Sequence, residues 1–408
     1  MKRDDLPSLL LLPFPPNPAS RQSLSAAYRP PLTAALSKLK RPDKASKLII
    51  AVACPILHGQ FFRDKTFSWA ELQSLVAGIY SIVSVICAQQ SIAADVEAGP
   101  GSVDATVVLV DHDREKRFMP DFRPAIEPNN TAIVDLATFS SAYYPWNFIF
   151  HVRCEAGLKL HQTYLQLSEG RQTLLQEQLV PVEGGLSMNV TGDQPKVLPA
   201  QTQTRSVVCL GGTFDHLHPG HKLLLTAGAF LLKVPDEGSS ETSKFIIGVT
   251  GDEMLKNKKF AEYVEPWDTR ARNILRFLST LLGLSSRGWK DIAHAQIREE
   301  DGQFSASFRD GLITVHCVEI QDAFGPTITT EDMDILVVSG ETRSGGRAVN
   351  DRRVERGWHP LEVYEVDVLD AEEISDEPSR GEQSFASKIS STAIRQQRAE
   401  GKKTGAGA

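Results

Sequence analysis

The sequence predicts an α/β protein with a doubly wound parallel sheet in its C-terminal half, preceded by a second α/β domain of unclear role. Three observations carry this. Strand-like apolar runs at 206–210, 245–250, 313–320, 334–339 and 361–369 alternate with amphipathic, helix-length stretches at 222–233, 267–282 and 348–357, the order from which parallel βαβ units are built. A similar alternation runs through the first half, with strand-like runs at 47–53, 105–110 and 147–152 and helix-like runs at 69–90 and 158–178. The chain has 408 residues, room for two or three domains at roughly 100–200 residues each.

Composition narrows the function classes. An apolar share of 41% with 23% charged residues excludes a chain disordered throughout. The 44 Lys+Arg against 51 Asp+Glu leave a net charge of −7. A mildly acidic chain lacks the diffuse basic field that nucleic acid or an anionic membrane requires, so a phosphate ligand must be held by a local site. Neither nucleic acid nor membrane is therefore expected as a partner. The five cysteines (Cys54, Cys87, Cys154, Cys209, Cys317) are far apart and without metal-ligand spacing, which reads as reduced core thiols in a cytoplasmic protein.

Residues 1–45 are rich in Pro, Ser and basic residues without periodicity and are expected to form a disordered Pro-rich arm, with order beginning at Lys47. The four leucines at 9–12 are bracketed by prolines and fall short of the ~18 apolar residues of a membrane span. The longer apolar stretch at 75–88 is interrupted by Gly78, Tyr80, Ser81 and Ser84 and reads as a buried helix. Domains are expected at 46–180 and 205–400. Between them, 181–204 loses periodicity and collects Gly184, Gly185, Gly192, Pro195 and Pro199, which predicts a linker. The polar 284–311 and the acidic 370–388 are expected to be surface insertions or lids.

The chemistry concentrates in Gly211-Gly212-Thr213-Phe214-Asp215-His216-Leu217-His218-Pro219-Gly220-His221-Lys222. An apolar strand ends in glycines, crosses a short loop and enters a helix at Pro219, where proline suits a first turn. The glycines let a ligand approach the backbone, and freed N–H groups with the helix dipole favour an anion there. His218 and His221, three residues apart, can both face it. Taken alone, the same residues also read as a tight turn with a surface histidine pair or a partial metal site. A second element, Lys388-Ile-Ser-Ser-Thr-Ala-Ile-Arg395, offers Ser390 or Ser391 as an N-cap and another anion cradle, and alone reads as an ordinary capped helix.

Together these two elements resemble the nucleotidylyltransferase superfamily, whose fold is a Rossmann-like doubly wound sheet. The spelling Gly-Gly-Thr-Phe-Asp-His-Leu-His-Pro-Gly-His-Lys most resembles the eukaryotic and archaeal type of phosphopantetheine adenylyltransferases. The resemblance covers about 205–398, half of the chain. Further segments agree with it: Lys256, Lys258 and Lys259 after the second strand, as in the family's basic segment that reaches the acceptor's phosphate; Arg270 at the opening of the next helix; and Ser339-Gly340-Glu341-Thr342 with Asn350 after the fourth strand. One departure is that Ser344, with Arg343 before it, stands where the family carries Arg next to its glycine pair.

The resemblance implies transfer of AMP from ATP, with Mg²⁺, to 4′-phosphopantetheine, giving dephospho-coenzyme A and pyrophosphate. Thr213, His218, His221 and Lys258 would carry the chemistry. Gly211, Gly212, Phe214, Asp215, Lys256, Arg270, Gly340, Glu341, Ser390, Ser391, Thr392 and Arg395 would bind the substrates, and no residues are expected to ligate a resident metal. The alternatives are another adenylyl- or cytidylyltransferase of the superfamily, such as a nicotinamide mononucleotide adenylyltransferase, or a weakly active scaffold binding other coenzyme A pathway enzymes through the first half. No Gly-x-x-x-x-Gly-Lys-Ser/Thr loop occurs, so a fused kinase is not expected.

Overall fold

Two sheets, one in each half of the chain, frame the fold: the first is parallel throughout and the second is parallel with an antiparallel edge. The computed structural model describes the chain apart from residues 1–2, 60–64, 97–98, 115, 117, 119–128, 144, 187–200, 237, 284–296, 301, 368, 370–389 and 406–408.

In the first half the elements are β1 (Ser8–Leu12), α1 (Arg21–Leu39), β2 (Ser46–Cys54), α2 (Trp69–Gln90), β3 (Val103–Asp111), β4 (Val134–Asp135), α3 (Leu136–Ala142), β5 (Ile149–Val152), α4 (Glu155–Leu167) and β6 (Leu179–Val182). The strand order is β4-β3-β2-β1-β5-β6, all parallel. The order turns back between β1 and β5, the signature of a doubly wound sheet.

Residues 3–45 therefore form no disordered arm. The run of leucines is the central strand: Leu10 and Leu12 enter one core and Leu9 and Leu11 the other, as a parallel strand covered on both faces requires. Fully burying one such side chain contributes about 1.5–3 kcal/mol. Helix α1 contains Pro30 and Pro31 yet continues through them, capped by the Ser20 hydroxyl and burying Leu24, Tyr28, Leu32, Leu36 and Leu39. Order begins with a short turn at Arg3–Asp5, ahead of β1, because burial of these faces outweighs the proline signal.

Helix α2 is long and apolar enough by length and composition to cross a membrane, but most of it is buried inside the protein. It packs on α1 and on a helix of the second half. Helix α4 ends at Leu167, earlier than the periodicity through 178 predicts. The expected linker is also partly structured. Pro181 and Val182 complete β6, the Gly185 amide donates to Ala27 O, and Thr202 donates to Phe67 O; residues 187–200 lie outside the described residues.

The second half runs β7 (Val207–Gly212), α5 (Pro219–Phe230), β8 (Ser243–Thr250), α6 (Trp267–Leu282), β9 (Arg298–Glu300), β10 (Gln303–Phe308), β11 (Ile313–Ile320), β12 (Ile335–Ser339), α7 (Arg343–Glu355), β13 (Glu362–Val366) and α8 (Ser391–Gly405). Its sheet order is β13-β12-β7-β8-β11-β10-β9. The chain steps outward from β7 through β8 to β11, then crosses to β12 on the other side of β7. This switch point opens at the carboxyl ends of β7 and β12, where doubly wound sheets bind ligands.

Part of the expected 284–311 insertion is sheet rather than lid: β10 pairs antiparallel with β11, and β9 antiparallel with β10, extending the edge. Its residues 284–296, and the expected insertion at 370–388, lie outside the described residues. Helix α7 starts at Arg343, five residues before the predicted 348, and runs through Gly345 and Gly346. A side chain at Gly346 would crowd Val338 of β12 at 3.3 Å.

Candidate functional site

The loop after β7 is held from beneath. Gly211 stands opposite Gly248 of β8, where a Cβ would meet Ile320 at 3.1 Å, so the two strand ends approach closely. Phe214 and His216 adopt positive φ of 53° and 48°, a conformation that costs ordinary residues roughly 1–2 kcal/mol each. Phe214 is wholly buried, and its ring would lie 3.1 Å from a Cβ at Gly212. Phe214 thus anchors the loop from the protein side, which leaves Gly211, Gly212 and Thr213 as its solvent-accessible backbone.

Asp215 has no exposure. Its carboxylate accepts the Glu265 amide at 2.9 Å and the Arg395 guanidinium at 2.5 Å, while its carbonyl accepts the Ser391 hydroxyl at 2.8 Å. The two motif elements, 176 residues apart, are thereby joined. The same bonds correct the expected substrate contacts of Asp215 and Arg395. Arg395 is buried and spends its donors on Asp215, Lys259 O and Thr392 Oγ1, so both residues lock α8 under the loop.

Arg270 is corrected in the same way. It is fully buried and donates to Glu265 O, Thr213 O, Thr250 O and Asp252 Oδ1 at 2.6–2.8 Å. A planar guanidinium that ties four groups together has no fork left for a phosphate. It braces the carboxyl ends of β7 and β8.

His218 caps α5, its Nδ1 accepting the Gly220 amide at 3.2 Å, which puts the remaining proton on Nε2. Its ring stacks on His221 with centroids 3.9 Å apart. His221 Nδ1 is buried without a partner among the described residues, and the ring is flanked by Phe214 at 5.3 Å. Burial first, then Lys222 and His216, push His218 down to about 3. Burial, then the neighbouring His218, His216 and Arg270, push His221 well below its ordinary range. Both rings are therefore neutral near pH 7 and able to donate a hydrogen bond, not to act as cationic acids.

At the start of α8, Ser390 Oγ accepts the Ala393 amide and Thr392 is exposed. Lys256 is exposed and paired with Glu253 at 2.5 Å. Lys258 is exposed and has no ion pair among the described residues. Gly340 and Glu341 are exposed at the end of β12, which pairs with β7 from Ile335 to Val337. Arg343 is drawn away onto Glu365 of β13. Asn350 exchanges both bonds with Leu361, so it fixes the α7–β13 turn. Arg347 lines a shallow groove there with Arg343, Asp351 and Val363.

Asp215, His216 and Glu265 bring three potential metal ligands within 4.8 Å of one another. Their bonds describe an ion-pair network instead. The His216 amide donates to Glu265 at 2.9 Å and its ring bonds Tyr263 O at 2.8 Å, while Asp215 is held by Arg395. Burial works against charge on His216, but Glu265 and Asp215 outweigh it and raise its pKa. This network was not read from the sequence, because the segment from Glu265 to Arg270 is legible there only for its arginine, and Glu265 lies 49 residues from the His216 amide it accepts.

Comparison with known proteins finds separate matches for the two halves of the chain. Residues 209–397 match the Cytidylyltransferase-like family, and residues 1–188 match a Domain of unknown function (DUF8446). The phosphopantetheine adenylyltransferase of Saccharomyces cerevisiae is 34% identical over 197 residues, 48% of this chain and 50% of that protein. The match therefore spans about half the length of the yeast relative. Phosphopantetheine adenylyltransferases of Pyrococcus abyssi and Methanopyrus kandleri are each 32% identical, over 40% and 43% of this chain and 78% and 88% of theirs.

Proposed function

Because the chain belongs to the phosphopantetheine adenylyltransferase family, we propose that it transfers AMP from ATP to 4′-phosphopantetheine, releasing pyrophosphate and giving dephospho-coenzyme A. The observation that carries the reading is the Ser391–Asp215 junction: the start of α8 meets the glycine loop of β7 at 2.8 Å, beside two neutral imidazoles and at the switch point of the sheet.

In the proposed reaction a phosphate oxygen of phosphopantetheine attacks the α-phosphorus of ATP. The new O–P bond forms as the bond to the β-phosphate oxygen breaks, and pyrophosphate carries away that electron pair. The acceptor is already ionised at neutral pH, so catalysis is positioning and charge stabilisation without a general base. Thr213 orients the incoming phosphate over the open backbone of Gly211 and Gly212. His221, stacked on His218, donates to the α-phosphate as negative charge grows. Lys258 and Lys256, exposed on the segment after β8, meet the acceptor's phosphate. The hydroxyls of Ser390 and Thr392, with the backbone N–H groups at the start of α8, receive the β- and γ-phosphates, while the Ser391 hydroxyl stays on Asp215 O; Gly340 and Glu341 border the nucleotide. Mg²⁺ enters with ATP as part of the substrate. Arg270, Arg395, Asp215 and Phe214 act from below by holding these groups.

Pyrophosphate release by the purified chain with Mg–ATP is the test, comparing 4′-phosphopantetheine, nicotinamide mononucleotide and no acceptor. Release only with phosphopantetheine is expected. Release with the mononucleotide alone reassigns the acceptor, and none with either sinks the transferase reading.

A further inference from the structure

The transferase half does not stand alone. The segment joining α2 to β3, together with the first residues of β3, reaches each motif element. The Val96 amide donates to Leu217 O at 3.2 Å, inside the loop between the glycines and the histidines. Asp104 Oδ1 and Ala105 O accept the Lys222 ammonium at 2.5 and 2.9 Å. Asp95 accepts the Arg398 guanidinium at 2.8 Å, one turn beyond Arg395 on α8.

These contacts are wholly or partly buried. Lys222 has no exposed surface, and Asp95 is 5% exposed. Burial opposes charge on Asp104, but the Lys222 ammonium holds its carboxyl below the usual range. Behind them α2 packs along α5, with Trp69 Nε1 donating to Ala227 O at 2.9 Å, and apolar residues of both halves form one continuous core.

Lys222 follows His221 directly, so a lysine whose charge is spent inside the first half fixes the turn that presents the imidazole. A buried, unpaired ammonium is too costly to keep in place, and the orientation of that turn therefore depends on Asp104. We propose that the first half serves as an internal clamp on the phosphate site, with Asp95 and Asp104 as positioning residues that set α8 and the His218–His221 turn from outside the transferase sheet. This rests on the transferase reading above for its effect on rate, but not for its effect on geometry.

The test uses the full chain with Asp104→Asn, Asp104→Glu and Asp95→Asn. Asp95→Asn, whose partner Arg398 is partly exposed, is the variant least prone to misfold. Two readouts are taken below the unfolding midpoint of each variant: kcat and KM with phosphopantetheine, and the imidazole proton resonances of His218 and His221. Expected are a fall in kcat of about 10- to 100-fold for the Asn variants, the scale of a small misplacement remote from the chemistry, a smaller change in KM for ATP, shifted imidazole resonances in Asp104→Asn, and recovery of both in Asp104→Glu. Imidazole resonances identical to the parent in Asp104→Asn would overturn the clamp, as would a kcat within twofold of the parent in both Asn variants. If the parent chain turns over no acceptor, the transferase reading falls, and the imidazole resonances still decide the clamp.

Discussion

The Ser391 hydroxyl donates to the Asp215 carbonyl at 2.8 Å, and one turn further along the same helix Arg395 closes onto the Asp215 carboxylate at 2.5 Å. A loop that carries two residues at positive φ needs such external support, because its own backbone disfavours the shape it holds. Much of what motif spelling assigns to substrate contact is therefore spent on making the loop rigid.

His221→Ala is expected to lower kcat by about 10² or more, the loss seen when one oxyanion-type donor is removed, while the unfolding midpoint in urea stays close to the parent's. Steady-state kinetics beside a denaturation curve check this, and near-normal turnover would remove His221 from the mechanism.

Arg395→Met separates bracing from phosphate binding. If the guanidinium serves Asp215, its loss leaves a fully buried carboxylate unpaired and destabilises the fold by about 3–5 kcal/mol. A variant of unchanged stability whose only defect is a raised KM for ATP would return Arg395 to the substrate.

The histidine pair sets a pH signature with two parts. Both folded-state pKa values lie below the ordinary value near 6.5, with His218 at about 3, so at lower pH the unfolded chain takes up protons that the native site refuses. Stability is then lost as pH falls from about 6.5 towards 3, by up to about 1.4 kcal/mol per pH unit per histidine. His216 shifts the opposite way, so the clean measurement is the stability of the parent minus that of His218→Asn, which keeps an N-cap. That difference should shrink as pH drops below 6.5; a flat difference would contradict neutral burial of His218. For the same reason kcat should show no loss from histidine protonation between about pH 8 and 5.

Gly157→Ala probes the first half. A Cβ there would lie 2.3 Å from Val152 O, backbone that cannot swing aside, so α4 must lift from β5. A loss of about 1–3 kcal/mol is expected, typical of overpacking, and an unchanged midpoint would show the helix is less tightly seated.

Legibility followed local chemistry. Residues 267–282 and 313–320 match α6 and β11 end for end, because amphipathic period and strand-like apolar runs are local properties. Loop and helix cap were readable for the same reason. The bracing roles of Arg270 and Arg395 were not, since an arginine aimed at protein acceptors is spelled like one aimed at a phosphate. Asp104 was invisible because its partner lies 118 residues away. The leucines at 9–12 misled because their neighbours are prolines, while the covering strands β2 and β5 come from residues 46 and 149 onward.

That central strand has a consequence for synthesis. Leu9 pairs with Leu48's neighbour Ile49 on one side and with Ile149 on the other, so one apolar border of β1 has no partner until some 140 residues later have left the ribosome. At about 5–20 residues per second that is roughly 7–28 s in which an open, hydrophobic strand border is available to other nascent chains, the sort of exposure that invites aggregation. Yield in a cell should therefore depend on holdase chaperones more than the finished protein's stability would suggest, and slowing translation before residue 149 should worsen it.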